Sequence, residues 1–269
     1  THARGAMKTD SGTHINVIKV GGNVIDNPAA LDALIHDLAR MEGPQILVHG
    51  GGKEATRLSA RLDIPTTMIE GRRVTDAATI DVVTMVYAGL INKRIVARLQ
   101  AAGTNAIGMC GADGNMIPAR RRPPVPIDYG FVGDIDPMAV NDSLIASLLD
   151  DGVMPVFCAI CHDGEGNLLN CNADSVASAV AIAASRIGPV DLTFCFEMPG
   201  VMADTDNPDS LIPSITPSLY ESLKKDGIVS KGMIPKIDNA FSAIRQGVAS
   251  VRICRSDSIL GSVGTVISA

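Results

Sequence analysis

Apolar residues along this chain gather in short runs that alternate with stretches of helical spacing. Runs rich in β-branched side chains predict buried strands. They are Ile15–Val20, Gln45–His49, Ala106–Met109, 154–161, Val190–Phe196, 250–254 and Thr265–Ile267. Apolar residues at helical intervals predict helices over 31–41, 53–62, 77–102, 141–150, 172–187, 218–225 and 234–244. This alternation predicts an α/β fold whose largely parallel sheet is covered by helices on both faces.

Local signals refine several of these elements. Ser218 and Glu221 have the spacing of a capping box, which predicts the start of a helix. Gly247 is expected to close the last helix. Prolines and glycines over 116–135 predict a β-hairpin excursion, and 163–166 predicts a hairpin turn. In the long helix, the spacing predicts that one face points toward the core. Its residues are Ile80, Val83, Val86 or Tyr87, Leu90 and Ile91.

Composition bounds the function. The chain has 269 residues, 46% of them hydrophobic, which suffices for one large domain or two lobes. A net charge of −6 argues against a nucleic-acid partner. No apolar run approaches the ~18 residues of a membrane span, and the polar start, 1–14, does not predict a secretory leader. Six irregularly spaced cysteines predict reduced thiols in a cytoplasmic protein. For the C-x-x-C at Cys158 and Cys161, core packing is favoured over zinc or redox chemistry.

The strand Gln45–His49 runs directly into a turn of three glycines, 50–52, and a predicted helix follows. Glycines let a ligand approach the main chain, and the N–H groups at a helix start favour an anion. The dinucleotide motif G-x-G-x-x-G is absent, and Lys53 is followed by Glu54 where a Walker A sequence needs Ser or Thr. The His-Gly-Gly-Gly sequence matches the oxyanion loop of lipase-like hydrolases, but the chain lacks their G-x-S-x-G. The turn is therefore interpreted as an anion cradle of another kind.

A lysine inside an apolar strand is the sharpest single signal. Lys19 lies within Ile15–Val20, and burying an ammonium group is costly unless an anion lies nearby. The alternative is an edge strand whose lysine faces solvent. Lys236 lies in the first turn of a predicted helix, where its positive charge opposes the helix dipole. By itself this position fits a functional lysine and an ordinary surface lysine equally well.

Polar residues at two further turns leave their roles open. Asp174 and the asparagines before it fit either a helix cap or a ligand site. In the segment 71–75, one of two adjacent arginines is either a fork for a carboxylate or part of a solvated loop. Thr75 is a candidate cap for the helix that follows.

Five motifs follow one another along the chain: I-K-V-G-G at 18–22, V-H-G-G-G at 48–52, G-R-R-V-T at 71–75, N-C-N-A-D at 170–174 and G-M-I-P-K at 232–236. Together they resemble the amino-acid kinase family and, within it, the N-acetylglutamate kinases. The first two are shared across the wider family, whereas R-V-T and N-x-N-A-D are far more specific to that branch. The resemblance covers nearly the whole chain.

The resemblance implies an open three-layer αβα sandwich and ATP-dependent phosphorylation of a side-chain carboxylate, which gives an acyl phosphate. A carboxylate is already ionised at neutral pH, so catalysis must come from positioning and positive charge. The resemblance implies that Lys19 and Lys236 flank the transferred phosphoryl group, braced by Asp174. Gly22 and Gly51 would donate N–H groups to phosphoryl oxygens.

Further site residues are implied in the same way. Arg73 would clamp the substrate's α-carboxylate, and the acyl-glutamate site would consist of Gly51, Gly52, Arg73, Asn170 and Asn172. Mg²⁺ would be carried by the phosphates of ATP. The nucleotide would lie against Lys19, Gly21, Glu197, Met198, Pro199, Gly200, Val201, Met202, Ile228, Val229, Ser230 and Lys236.

Two departures from the family pattern leave alternatives open. The family usually has Ser or Thr followed by Asp where this chain has Phe196 and Glu197. Three arginines at 120–122 lie near the hairpin expected to cover the substrate, so N-succinyl-L-glutamate is an alternative substrate, although a solvated loop is favoured. Carbamate, aspartate and uridylate kinases, and a non-catalytic amino-acid-binding module, are further alternatives. The motifs at 71–75 and 170–174 argue against the other kinases, and the retained lysines and Asp174 argue against the module.

A single kinase domain is expected over 14–269. Its first lobe, 14–188, would hold the acyl-glutamate site and the dimer interface, and its second lobe, 189–269, would hold the ATP site. Arginine-inhibited relatives carry an additional N-terminal helix, whereas only a short polar segment precedes Ile15. A homodimer without arginine feedback is therefore expected.

Overall fold

The computed structural model describes residues 13–204, 206–207, 209–229 and 233–269. The strands are β1 (Ile15–Val20), β2 (Gln45–His49), β3 (Met68–Ile69), β4 (Arg72–Arg73), β5 (Ala106–Met109), β6 (Ala119–Arg121), β7 (Gly133–Ile135), β8 (Met154–Cys158), β9 (Ile160–His162), β10 (Leu168–Asn170), β11 (Val190–Phe196), β12 (Ser214–Ile215), β13 (Ser250–Arg255) and β14 (Thr265–Ile267). The helices are α1 (Gly22–Ile25), α2 (Pro28–Arg40), α3 (Gly52–Arg61), α4 (Ala77–Thr84), α5 (Asn92–Ala101), α6 (Asp142–Asp150), α7 (Ala173–Ala184), α8 (Pro217–Lys225) and α9 (Ile234–Arg245).

Eight strands form one sheet in the order β12-β14-β13-β11-β1-β2-β8-β5. Among the pairs that the structure describes, β13 and β14 are antiparallel and the others are parallel. β1 lies in the middle, hydrogen-bonded to β11 on one side and to β2 on the other. The sheet therefore runs without a break through both halves of the chain.

Helices cover the sheet, as the strand–helix alternation predicts. α7 packs across β1, β2 and β11 and against α9, while α5 packs on β5 and β8 and against α2. Alanines are frequent in α7, and eight of its residues, all between Val176 and Ala184, are buried. A helix that is apolar nearly all round belongs in a protein interior, and its alanines let it lie close to the strands. The α/β fold, an open αβα sandwich with a mainly parallel sheet, is confirmed.

Among the described residues, three hairpins lie outside the main sheet. β6 pairs with β7 and β9 with β10, both antiparallel, so the predicted excursion over 116–135 and the turn at 163–166 are confirmed. β3 pairs with β4 across Glu70 and Gly71, both of which have positive φ (50° and 76°). This is the backbone of a type I′ turn, which suits a two-residue hairpin. Isolated bridges from Thr75 to Gly130 and from Val132 to Asn170 join the hairpins to one another.

The long helix predicted over 77–102 forms, but its middle is not α-helical. Met85–Ile91 is a π-helical segment between α4 and α5. Hydrogen bonds from residue i to i+5 widen each turn, so the side chains leave the spacing of an α-helix. Ile80, Val83, Val86, Tyr87 and Ile91 are buried as predicted, whereas Leu90 is 36% exposed. The prediction that Leu90 faces inward is wrong because the π-helical turn rotates it outward.

The run 154–161 is not one strand. β8 ends at Cys158, and β9 begins at Ile160. β8 stays in the main sheet between β2 and β5, whereas β9 leaves it to pair with β10. A run buried on every side gives no periodic signal for such a break, and here the chain turns between two layers of structure.

Two helix starts differ from prediction. Asp76, and not Thr75, caps α4, because its carboxylate accepts from the N–H of Thr79. The capping box at Ser218 is absent from the described start of α8. There the hydroxyl of Thr216 accepts from the N–H of Leu219, and Pro217 takes the first helical position, which suits proline. Gly247 does follow the end of α9 with φ of 110°, as predicted.

In the part of the chain that the structure describes, no helix is both long and apolar enough to cross a membrane. The predictions for 1–14 fall mostly on residues that lie outside the described part.

The cap of α8 can be tested with a matched pair of substitutions. Thr216→Ala removes the hydroxyl that accepts from Leu219, so the free energy of unfolding should fall by about 1 kcal/mol. Ser218→Ala lies two residues further on and should cost less than about half of that. Urea denaturation of both variants measures the difference. Equal losses of stability, or a larger loss for Ser218→Ala, would indicate that Ser218 caps the helix as the sequence predicts.

Candidate active site

Three strand ends meet at the centre of the sheet. From β1 the chain leads to β2 on one side, while β11 and β13 extend the sheet on the other side. Such a reversal of strand order opens a crevice beside the carboxyl ends of the strands, which is where ligands of open α/β sheets bind. The segments that follow these ends are 21–22, 50–52 and 197–200.

Lys19, Asp174 and Lys236 converge at this crevice. The Nζ atom of Lys19 lies 2.9 Å from Oδ1 of Asp174, and Nζ of Lys236 lies 3.3 Å from Oδ2. Lys19 is on the central strand and only 8% exposed, so the alternative of an edge lysine facing solvent is wrong. Asn172 caps α7, since its side chain accepts from the N–H groups of Asp174 and Ser175. Asp174 is therefore not the cap, and its carboxylate holds both lysines.

The charges in this cluster support one another. Burial alone would raise the pKa of the Asp174 carboxyl, but the nearby charges of Lys19 and Lys236 outweigh burial and hold it below its usual value. The carboxylate thus stays ionised at neutral pH. Two ammonium groups against one carboxylate leave a single net positive charge, which favours a polyanionic ligand.

A cleft of about 470 Å³ lies on one side of the cluster. It is lined by Gly21, Gly22, Asn23, Val24, Gly52, Lys53, Cys195, Phe196, Glu197, Met198, Gly200 and Met233. Its far wall is anchored to β14, because the N–H of Val201 donates to the hydroxyl of Thr265 at 2.8 Å, and that hydroxyl donates to the carbonyl of Ile212. A Cβ at Gly200 would come within 2.6 Å of the same hydroxyl, so this position requires glycine.

A second cleft, of about 260 Å³, shares Gly22 and Gly52 with the first. Because they share these residues, the two clefts meet. Two residues of the larger cleft lie next to the lysines: a Cβ at Gly21 would be 3.9 Å from Nζ of Lys19, and the Phe196 ring centroid is 3.9 Å from Nζ of Lys236. The other residues that line it are Gly50, Gly51, Met68, Gly71, Arg72, Arg73, Tyr87, Val132, Ala159, Asn170, Cys171, Asn172 and Ala173.

Arg73 is buried, only 8% exposed, so the solvated-loop alternative is wrong for it. Its Nη2 atom donates to the carbonyl of Gly52 and to the hydroxyl of Thr56, both at 2.9 Å. The β3–β4 turn fixes its register, since Arg73 pairs with Met68. The guanidinium is thus held against the glycine turn and lines the smaller cleft.

Asn170 and Thr75 hold the opposite wall of the smaller cleft. The side-chain amide of Asn170 donates to the hydroxyl of Thr75 at 3.1 Å, and that hydroxyl donates to the carbonyl of Arg73. The N–H of Asn170 donates to the carbonyl of Phe131 on the hairpin excursion. Residues from three separate segments are thereby connected in one hydrogen-bond network.

The arginines of the excursion are engaged within it. Arg121 lies over the ring of Phe131 at 4.7 Å and donates to the carbonyl of Gly130, while Arg122 pairs with Asp134. None of the three arginines at 120–122 is among the residues that line the smaller cleft in the described structure.

His49 holds the glycine turn from beneath. Its Nδ1 donates to the carbonyl of Gly50 at 2.8 Å, and its Nε2 accepts from the side-chain amide of Asn92 at 3.0 Å. Complete burial lowers the pKa of His49 to about 4, so the ring is neutral. A Cβ at Gly51 would lie 2.3 Å from Cδ1 of Ile91 and 3.0 Å from the ring of Tyr87, so a larger residue here would have to displace these buried side chains.

Most of the predicted site residues lie at these two clefts, and some do not. The predicted nucleotide-binding residues that are not among the described residues lining the larger cleft are Lys19, Pro199, Val201, Met202, Ile228, Val229 and Lys236, and Asp174 lines neither cleft. Val201 and Met202 are buried. Ser230 lies outside the described residues. The larger cleft is also lined by residues that were not predicted from the sequence: Asn23, Val24, Lys53, Cys195, Phe196 and Met233. Lys53 directly follows the glycine turn, which was a usable signal, whereas the others depend on packing.

Comparison with known proteins decides the family, since residues 14–255 match the amino acid kinase family. The chain belongs to the amino acid kinase family. An acetylglutamate kinase of Cytophaga hutchinsonii is 51% identical over 91% of this chain and 92% of its own length. One of Bacteroides thetaiotaomicron is 48% identical over 94% and 98%.

A solved structure agrees with the fold of this family member. The crystal structure of smu.665 from Streptococcus mutans UA159 superposes with a TM-score of 0.76, at 27% identity, over 95% of this chain and 98% of that chain. The five motifs that suggested an amino acid kinase are thus supported by relatives that match nearly the whole chain.

The burial of His49 predicts that the protein loses stability in acid. The pKa of His49 is 6.5 in an unfolded chain and about 4 in the folded one, so the unfolded state binds its proton first. The stabilisation is complete above pH 6.5 and is lost as the pH falls toward 4. Protonation of His49 alone should lower the free energy of unfolding by about 3 kcal/mol between pH 6.5 and pH 4.

Urea denaturation at pH 7 and pH 4 measures the effect. His49→Gln, whose amide can donate to Gly50 and accept from Asn92, should lose less stability on acidification than the unchanged protein. His36→Gln is the matched control, since His36 is exposed at the surface. A steeper or unchanged pH dependence in His49→Gln would mean that His49 is not buried in the neutral form.

Proposed function

We propose that this protein transfers the γ-phosphoryl group of ATP to the γ-carboxylate of N-acetyl-L-glutamate, giving N-acetylglutamyl 5-phosphate and ADP, a step of arginine biosynthesis. The observation that carries the proposal is the convergence of Lys19, Asp174 and Lys236 where two clefts meet. Relatives named acetylglutamate kinase match more than nine-tenths of the chain, which supports this acceptor over carbamate or aspartate.

The proposed phosphoryl transfer requires fixed positive charge and backbone hydrogen-bond donors. A carboxylate oxygen of the acceptor forms a bond to the γ-phosphorus while the bond from that phosphorus to the bridging oxygen of ADP breaks. No proton moves, because the acceptor is already ionised. The barrier comes from bringing two anions into line, so fixed positive charge and backbone donors lower it. The cluster supplies one net positive charge at the required place.

We infer the following roles for individual groups. Lys19 and Lys236 flank the transferred phosphoryl group, and Asp174 holds both lysines in place. The N–H groups of Gly22 and Gly51 donate to phosphoryl oxygens. Their support is geometric, because the two glycines line the clefts beside the lysines.

The smaller cleft suits the acyl-glutamate. Arg73 offers a planar fork for the α-carboxylate. Asn170 and Asn172 are placed to bind the same substrate, and Gly51 and Gly52 let its side chain approach the main chain. The cleft's volume of about 260 Å³ is in keeping with a small amino-acid derivative.

The larger cleft suits ATP, with Gly21, Glu197, Met198 and Gly200 along its walls. The glycines at 21 and 22 leave room for phosphates beside Lys19, since a Cβ at Gly21 would lie 3.9 Å from its Nζ. Mg²⁺, carried by the nucleotide, would neutralise phosphate charge during transfer. On this assignment 14–188 binds the acyl-glutamate, and 189–269 binds ATP together with the glycines at 21 and 22, within one domain. The six free cysteines are in keeping with a cytoplasmic location.

A hydroxamate assay tests the reaction directly, because hydroxylamine traps acyl phosphates. The protein with ATP, Mg²⁺ and N-acetyl-L-glutamate should form the hydroxamate, while carbamate and aspartate should give none. N-succinyl-L-glutamate is a parallel arm and is expected to react more slowly, since Arg121 and Arg122 are engaged within the hairpin. If hydroxamate formed with aspartate and not with N-acetyl-L-glutamate, the assignment of N-acetyl-L-glutamate as the acceptor would be wrong.

Lys19→Arg is the matched variant for this assay. Arginine keeps the charge but not the compact ammonium group, so turnover should fall by about a hundredfold or more while the KM for N-acetyl-L-glutamate changes little. Arg120→Lys, on the exposed hairpin, should leave both constants unchanged. If kcat and KM of Lys19→Arg changed equally, the phosphoryl-transfer role of Lys19 would be wrong.

We further propose that the protein is a homodimer joined through its first half. β5 is an edge strand of the eight-stranded sheet, and Ile107 on it is 40% exposed. Met85, on the neighbouring long helix, is 53% exposed. An uncovered edge with apolar side chains is a liability unless a partner covers it.

Light scattering tests this assembly. The unchanged protein should have twice the mass of one chain, and Ile107→Lys should shift it toward one chain. Val125→Lys changes a side chain that is 80% exposed on the hairpin excursion and should leave the mass unchanged. A single-chain mass for the unchanged protein at micromolar concentration would rule the dimer out.

A further inference from the structure

The aromatic ring of Phe196 lies within reach of both lysines of the cluster. The Nζ atom of Lys236 is 3.9 Å from the ring centroid, and Nζ of Lys19 is 5.5 Å from it. A cation is attracted to an aromatic face within about 6 Å of its centroid. One ring therefore contacts the same two ammonium groups that Asp174 binds.

The sheet register explains why the ring lies there. Lys19 on β1 is paired with Phe194 on β11, so their side chains lie on the same face of the sheet. Phe196 is two residues further on and shares that face. The rings of Phe194 and Phe196 are stacked, with centroids 6.2 Å apart and planes 13° from parallel. Phe194 is buried and so gives the second ring a fixed support.

An aromatic ring can hold two ammonium groups close together without cancelling their charge, which a second carboxylate could not do. Two ammonium groups repel each other, and the single carboxylate of Asp174 leaves one positive charge in excess. Another carboxylate would hold the lysines but cancel the charge that attracts phosphate. An aromatic face attracts cations through its quadrupole and carries no net charge.

Lys236 depends on this contact more than Lys19 does. Its side chain is 32% exposed, against 11% for Lys19, and its distance to the ring is the shorter one. Lys19 is fixed by its place in the central strand, whereas Lys236 stands in the first turn of a helix. Without the ring, the Lys236 side chain would keep one carboxylate contact at 3.3 Å.

We propose that Phe196 is a positioning residue for phosphoryl transfer: its ring holds the ammonium group of Lys236, and more weakly that of Lys19, beside the larger cleft without reducing their positive charge. The inference rests on the proposed kinase function. The resemblance to amino-acid kinases leads one to expect Ser or Thr at this position, so the aromatic residue is a distinct solution in this chain.

Fluorinated phenylalanines test the proposal because they weaken the quadrupole with little change of shape. With 4-fluoro-, 3,5-difluoro- and 3,4,5-trifluorophenylalanine at position 196, kcat should fall stepwise, by roughly fivefold in total. The KM for N-acetyl-L-glutamate should stay within about twofold, since the effect falls on the transferred phosphoryl group. The same series at position 241, whose ring packs against Tyr220, should leave kcat unchanged.

Two substitutions separate the ring from mere bulk. Phe196→Tyr keeps an aromatic face and should retain most of the activity, whereas Phe196→Leu keeps apolar volume and should match the trifluoro variant. Thermal denaturation of Phe196→Leu checks that the fold is retained. A flat kcat across the fluorine series, or equal activity in Tyr and Leu variants, would overturn the proposal.

An NMR measurement is independent of catalysis. A ring face at 3.9 Å should shift the ε-methylene protons of Lys236 upfield, and the shift should disappear in Phe196→Leu but remain in Phe196→Tyr. Lys236→Met identifies the signal. If the unchanged protein made no acyl phosphate, the proposed function would fail while this shift still reported the contact. No shift in the unchanged protein would overturn the contact itself.

Discussion

The ion pairs of Asp174 with Lys19 and Lys236 join three parts of the chain that are far apart in sequence. Burying such charges is costly, and a partner left alone in the interior would be worse still. The carboxylate must therefore stay within reach of both ammonium groups, which fixes β1, α7 and α9 relative to one another. The alanine-rich surface of α7 serves this requirement, because it lets the helix lie close to the central strands.

The backbone around the cluster is held as firmly as the charges. His49 is locked between Gly50 and Asn92, and Gly51 lies against Ile91, with no space for even one more methyl group. On the other side, Thr265 ties the wall of the larger cleft to β14. These contacts use a neutral ring, a hydroxyl and close packing, so they add no charge to the site. The excess positive charge of the lysines therefore remains available to a ligand.

Much of this architecture could be read from the sequence where a pattern has one physical meaning. β-branched runs gave the central strands, and Lys19 inside one of them indicated a buried cation with an anion nearby. Arg73 and Asp174 could not be assigned from their own segments, because a solvated loop and a helix cap have the same local pattern as a ligand site. Their order with the other motifs suggested the roles, and the packing then favoured them over the local alternatives.

The remaining differences arise where tertiary contacts override local signals. The break between β8 and β9 lies in a run that is apolar throughout, so nothing in its periodicity marks the change of layer. Phe196 was visible as a departure from the family pattern, but its contact with two lysines depends on the register between β1 and β11. Residues such as Asn23 and Met233 line the larger cleft only because separate segments meet there.

The π-helical segment Met85–Ile91 has a consequence for how the chain can change in length. Tyr87 and Ile91 within it face Gly51, and Asn92 directly after it reaches His49. A regular α-helix, with fewer residues in each turn, would turn through a larger angle over the same residues and would carry Asn92 away from the histidine. The segment thus holds an extra residue for the rotation it covers, so a single deletion here could be absorbed as a regular α-helix with α5 still in phase. A single insertion has no such outlet: it would turn α5 and take Asn92 away from His49, although every glycine of the turn remained.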